Sequence, residues 1–173
     1  MASHRKPVIV RKFSGDWRAG YAGLSFGQDG AELEILDLNG KVLHIGWEQV
    51  KWVCYVRDFP AGSSLSEANP ERLLRKRFST RPRTAGVWLR ITLTDGEDLE
   101  GLAANDRSLV EGAGLLLTPP DTRSNTQRIY IPRAAIHSLE VVGLIGGSTP
   151  KSALAPQASD RQPELFAPES ATT

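Results

Sequence analysis

Arg77 and Arg81, four residues apart in the stretch RFSTRPR, are side chains suited to gripping an anion. A planar guanidinium makes paired hydrogen bonds to phosphate or carboxylate oxygens and also stacks on flat rings. Asp106 and Ser108, further along in NDRSLVEG, add a carboxylate and a hydroxyl. Another polar group, Asp121, Ser124, Asn125 and Arg128 in PPDTRSNTQR, forms a candidate binding loop. Asp and Asn in such a loop also cap backbone N–H groups as plain turn chemistry, which is their commoner use. Bond-making chemistry has no comparable set. His4, His44 and His137 are isolated from one another and lack metal-ligand spacing. No glycine-rich phosphate loop occurs. Glu97 and Glu100 fall on a hairpin turn and are expected to be solvated. Cys54 is the single cysteine, which excludes an internal disulfide and a cysteine metal cage; within WVCYV it reads as a small buried hydrophobe. The expectation is a protein that is not an enzyme and needs no cofactor or metal.

The elements that must position these residues come from an internal repeat. GDWRAGYA (Gly15 to Ala22) aligns without gaps on GEDLEGLA (Gly96 to Ala103), an offset of 81. IGWEQVKWVCYV (Ile45 to Val56) aligns on IPRAAIHSLEVV (Ile131 to Val142), an offset of 86, which places a five-residue insertion in PPDTRSNTQR. Alternation such as Leu89-Arg90-Ile91-Thr92-Leu93 has the period of a half-buried strand. Ser14-Gly15, Asp29-Gly30, Asn39-Gly40 and Asp95-Gly96 punctuate the strands as turns. Each copy thus reads as five short strands, with WEQV or RAAI forming one helical turn before the last. Five strands of this length bury an apolar face by bending round on themselves, so a small curved barrel is expected for each copy. Gly20 and Gly101 are assigned to the bend and Gly15 and Gly96 to the turn before it.

The second copy, LRITLTDGEDLEGLAANDRSL followed by RIYIPRAAIHSLEV, resembles the Sm-like and SH3-like small barrels in its order of acidic-glycine turn, glycine-bearing strand and late apolar block. The block Gly114 to Ile136, with Asp95, Gly96, Glu97, Glu100 and Gly101 before it and Gly114, Pro119, Asp121, Ser124, Asn125 and Arg128 within it, resembles an uncharacterised bacterial domain family without an established activity. Arg77 and Arg81 with Asp106 and Ser108 resemble the two motifs of the PilZ family; Glu111 stands at that family's glycine position and Gly112 follows it. That resemblance implies a receptor for cyclic di-GMP. Gln162, Leu165 and Phe166 in RQPELF resemble the Q-x-x-L-F peptide with which bacterial proteins dock into the sliding clamp.

Charge and composition complete the expectation. Residues 1–85 hold 14 of the 21 Lys and Arg against 9 of the 20 Asp and Glu, and residues 86–173 have the reverse excess. The basic surplus is local, concentrated in RLLRKRFSTRPR, and does not mark a general nucleic-acid binder. NPERLLRKRF carries a helix start, with Asn69 as cap and Pro70 first, and basic residues at its end. No signal-peptide core or membrane span is evident, so a cytoplasmic protein that does not enter membranes is expected. The class is all-β: two tandem five-stranded barrels at 7–59 and 86–146, a basic linker with a short helix at 60–85, and a disordered tail at 147–173 rich in Pro, Ser, Ala and Thr. The leading functional reading is a regulatory or adaptor protein whose partner is another protein. The alternatives are an RNA- or DNA-binding Sm-like module and a cyclic dinucleotide receptor. Under the leading reading, RFSTRPR is a linker with incidental affinity for phosphate.

Overall fold

The computed structural model describes residues 5–23, 31–59, 71, 75–121 and 123–146. It is all-β. Five strands come first: β1 (Lys6–Lys12), β2 (Trp17–Ala22), β3 (Glu32–Asp37), β4 (Val42–Gly46) and β5 (Val50–Val56). Five more follow: β6 (Gly86–Leu93), β7 (Asp98–Ala103), β8 (Gly114–Thr118), β9 (Thr126–Pro132) and β10 (Ile136–Ile145). Single 3-10 turns at Trp47–Gln49 and Arg133–Ala135 precede β5 and β10, where WEQV and RAAI placed a helical turn. Among the described residues no helix is long and apolar enough to cross a membrane.

All ten strands belong to one antiparallel sheet in the order β10-β6-β7-β8-β9-β5-β1-β2-β3-β4. This corrects the expectation of two separately closed barrels joined by a linker: the sheet is open, and β5 of the first half pairs directly with β9 of the second. The repeat itself extends to individual register positions. Val8 faces Gly20 and Tyr55 in the first half; Leu89 faces Gly101 and Val141 in the second. Leu33 faces Ile45 as Leu115 faces Ile131. The paired positions Tyr21–Leu36 and Leu102–Thr118 show the offset passing from 81 to 82 before the third strand, and it reaches 86 at the fourth. One inserted residue therefore precedes β8 and four lie in the β8–β9 loop, rather than all five there.

The seam explains the unbroken apolar run WVCYV of β5. Trp52, Cys54 and Val56 of β5 project into a core with Leu89, Ile91, Leu99, Leu117 and Ile131. Val53 and Tyr55 project from the other face into a core with Val8, Val10, Leu33, Ile35 and Ile45. A strand buried on both faces reads as a continuous apolar run, whereas β6, buried on alternate residues, keeps the two-residue period. Each fully buried Val, Leu or Ile contributes about 1.5–3 kcal/mol. Cys54 is fully buried as expected, and burial pushes its thiol far up.

Gly15 and Gly96 have φ of 87° and 86°, so the turn assignment holds. Gly20 and Gly101 serve close approach: a Cβ on Gly20 would land on the Leu36 carbonyl, and one on Gly101 would lie 2.9 Å from Leu117 Cβ. The helix start at Asn69 and Pro70 lies outside the described residues, and Arg75–Phe78 form no helix. The tail from 147 also lies outside them.

Glu71 ties the halves together. Its side chain is 2% exposed and takes both Arg11 Nε and Nη2, at 2.9 and 2.8 Å, and more distantly Trp52 Nε1. Its carbonyl accepts from Thr126 Oγ1 at 2.8 Å, across the seam on β9. A buried carboxylate deprived of its cation is costly, so Glu71→Ala and Arg11→Ala should each lower unfolding free energy by about 3 kcal/mol. In urea denaturation the double variant should lose much less than the sum; simple additivity would show the pair not to be coupled.

Candidate functional site

The basic strip is docked on the second half. Lys76 O accepts from Glu100 N at 2.7 Å, where the first part of β7 lacks a strand partner on its β8 side. Phe78 N donates to Glu100 Oε2 at 3.1 Å, and the Phe78 ring meets Trp88 edge-on at 5.7 Å. Glu100 also takes Trp88 Nε1 and the Arg90 guanidinium. At 3% exposure it is a buried hub, which corrects the solvated-turn expectation. The reason is tertiary: the strip covers it. Lys76 pairs with Glu97 and Arg77 with Asp98, so two strip cations answer the acidic turn of the second half.

The four residues of the anion motif are used in two separate places. Arg77 bonds Asp98 at 2.9 Å, and Arg81 Nη2 donates to the Leu144 carbonyl at 3.2 Å. Asp106 caps the 3-10 turn Arg107–Leu109, taking Ser108 N and Oγ at 2.9 and 2.6 Å. Among the described residues no hydrogen bond joins the arginines to this cap. The Ser108 bonds hold the Asp106 carboxyl below its ordinary range.

The candidate loop works as a staple. Asp121 accepts from Arg123 N through its side chain and from Ser124 N and Oγ through its carbonyl. Asn125 Oδ1 accepts from Arg57 N and Asp58 N, and its Nδ2 donates to Asp58 O at 2.9 Å. Arg128 Nη1 donates to Thr118 Oγ1 at 2.8 Å. The loop thereby locks the exit of β5 to the second half. Gln162, Leu165 and Phe166 lie outside the described residues.

Comparing the two halves exposes a site that the sequence reading missed. Trp17–Ala19 of β2 lack a β3 partner just as Asp98–Glu100 of β7 lack a β8 partner. On the second half the strip occupies that place, running beside Thr118 and Pro119. On the first half the matching place is an open cleft of 640 Å³ between Asp16–Ala19 and the β3–β4 turn, with Leu38, Asn39 and Lys41 on its rim. The signal for it was present in the repeat: Ala19 stands where Glu100 would be, so the hub that fastens the strip has no counterpart. A smaller cleft of 320 Å³ runs along the strip itself, lined by Arg75, Arg77, Arg81 and Arg83.

Lys51 provides the electrostatic fastening of the halves. It lies 5.0 Å from the Trp52 ring centroid and bonds both Asp95 and Glu97 across the seam. Burial disfavours the charged Lys51, but its bonds to the two carboxylates outweigh this and raise it above its ordinary 10.5. Burial likewise pushes Asp95 and Glu97 up, and the Lys51 bonds and charge outweigh it and hold both below 3.8 and 4.5.

A family model described as "Family of unknown function (DUF6982)" matches residues 4–143. No curated protein and no solved structure matches the chain.

The linkage has a definite sign. Depressed carboxyls stabilise the fold above their unfolded values and lose that contribution as pH falls through their folded ones. The raised Lys51 stabilises below 10.5 and loses its contribution as pH rises through its folded value. Unfolding free energy should therefore be level from about pH 6 to 8, fall below about 4.5, and fall again above about 9 as the unfolded Cys54 thiol ionises. Lys51→Met should flatten that acid limb in urea titrations at stepped pH; an unchanged limb would place acid sensitivity elsewhere.

Proposed function

The chain belongs to the family of unknown function DUF6982, and from its geometry we propose a non-catalytic adaptor that holds an extended segment of a partner protein in the cleft of its first half. One observation carries this reading: the second half already holds a chain segment, Lys76–Phe78, in the corresponding place. Extended peptides add to unpaired strand backbone through main-chain hydrogen bonds, with pockets reading side chains. The first-half cleft offers that combination, with Trp17 half-buried beside it, Leu38 53% exposed on its rim, and Asp16 and Asp37 to meet a basic residue. Stacking on nucleic-acid bases has less support, because Trp52 is buried and Trp17, Trp47 and Trp88 are half-buried.

A second reading places an anion such as cyclic di-GMP in the strip's cleft. It is favoured by Arg75 and Arg83, which line the cleft, are exposed and have no partner among the described residues.

A photo-crosslinking amino acid at Leu38 should give protein adducts in cells, and one at Val110, which is more exposed still, should not. Equal labelling, or none at Leu38, would overturn the adaptor reading. In calorimetry with cyclic di-GMP the adaptor reading expects no binding; micromolar binding lost in Arg75→Ala/Arg83→Ala would favour the second reading.

A further inference from the structure

The two ends of the sheet are counterparts of two strands that already pair inside it. β4 holds in the first half the position that β9 holds in the second, and β10 corresponds to β5 in the same way. β9 and β5 form the seam, with Val53 facing Tyr130, Cys54 facing Ile129 and Tyr55 facing Arg128. β4 and β10 are the two edges of the sheet among the described residues. Among the described residues, the outer backbone of β10 receives one bond, from Arg81 to the Leu144 carbonyl.

The side chains show what an edge position changes. On β5, Val53 and Tyr55 are 0% and 6% exposed; their counterparts on β10, Leu139 and Val141, are 39% and 58% exposed, and Leu144 is 59% exposed. Val42 on β4 is 41% exposed. A long, apolar, unpaired edge strand is a template for pairing with another chain. The seam supplies both the partner strand and the register.

We propose that copies of this chain assemble head to tail, with β10 of one copy adding to β4 of the next in the register of the β5·β9 seam. Through the repeat, Leu139 then faces His44, Glu140 faces Leu43 and Val141 faces Val42 of the next copy. His137 takes the place of Lys51, and Ser14 and Asp16 of the next copy take those of Asp95 and Glu97, so one carboxylate of the polar fastening is kept and the other is replaced by a hydroxyl. The β3–β4 turn has four fewer residues than the β8–β9 loop and lacks a counterpart to the Asn125 staple, so this contact is weaker than the internal one. It is also heterologous, joining two different edges, and therefore propagates into a ring or a filament.

The full chain should show a mass by sedimentation that rises with concentration. Val141→Lys and Val42→Lys should each hold it at one chain, with the circular dichroism and urea midpoint of the wild type. Mixing Val141→Cys with Val42→Cys under mild oxidation should give a disulfide-linked pair, and mixing Val141→Cys with Val110→Cys should not. A wild type that stays at one chain mass, or Val141→Cys linking chiefly to itself, would overturn the proposal.

Discussion

β5 must satisfy hydrogen bonds on two edges and apolar contacts on two faces, and the rest of the structure follows from that demand. Its edges are taken by β1 and β9, which join the two halves into one sheet. Its faces fill two different cores, so removing either half would expose an apolar side of the strand. A chain built from a repeated five-strand unit thereby gains a single cooperative frame, with non-local pairing at its centre.

The charged groups around this seam are arranged by the cost of burying a carboxylate. Glu71 and Glu100 are both withdrawn from water, and each is surrounded by guanidinium, indole N–H or backbone N–H donors. Such a group stabilises the fold only while its partners are in place. The basic composition of the strip is accordingly in large part structural: Lys76 and Arg77 answer Glu97 and Asp98, and Arg81 caps a carbonyl of β10. Arg75 and Arg83 remain available at the surface.

The halves share a frame and differ in what lies on it. The second half carries the strip in its groove and the Asn125 staple in its longer loop, whereas the corresponding groove of the first half is open. At the sheet ends the difference runs the other way. β10 keeps apolar residues, Leu139 and Val141, where β5 buries Val53 and Tyr55, although it has no second neighbour among the described strands; Ser138 and Glu140 stand where β5 buries Trp52 and Cys54. Places where one copy is filled and its counterpart is vacant are where a duplicated protein has surface to spare for partners.

Much of the frame was legible in the sequence because it depends on local periodicity. The alternation in VWLRITL, the turn glycines Gly15 and Gly96, the two helical turns and the order of the repeat all depend on neighbours within a few residues or on a copied pattern. The burial of Cys54 was legible for the same reason, from the unbroken run around it. The closure of each half was misjudged because a strand's second edge partner carries no local signature: nothing in WVCYV names β9. Gly20 and Gly101 were found, but their role as sites of close approach depends on strands crossing far along the chain. Glu100 looked like a solvent-facing acid, and only the docking of the strip removed it from water; the burial of Glu71 likewise depends on the meeting of the two halves. The sequence alone determined an all-β, twofold-repeated chain. The tertiary structure decided which edges pair, which acids are buried and which groove stays open, because edge pairing and desolvation are set by residues distant in sequence.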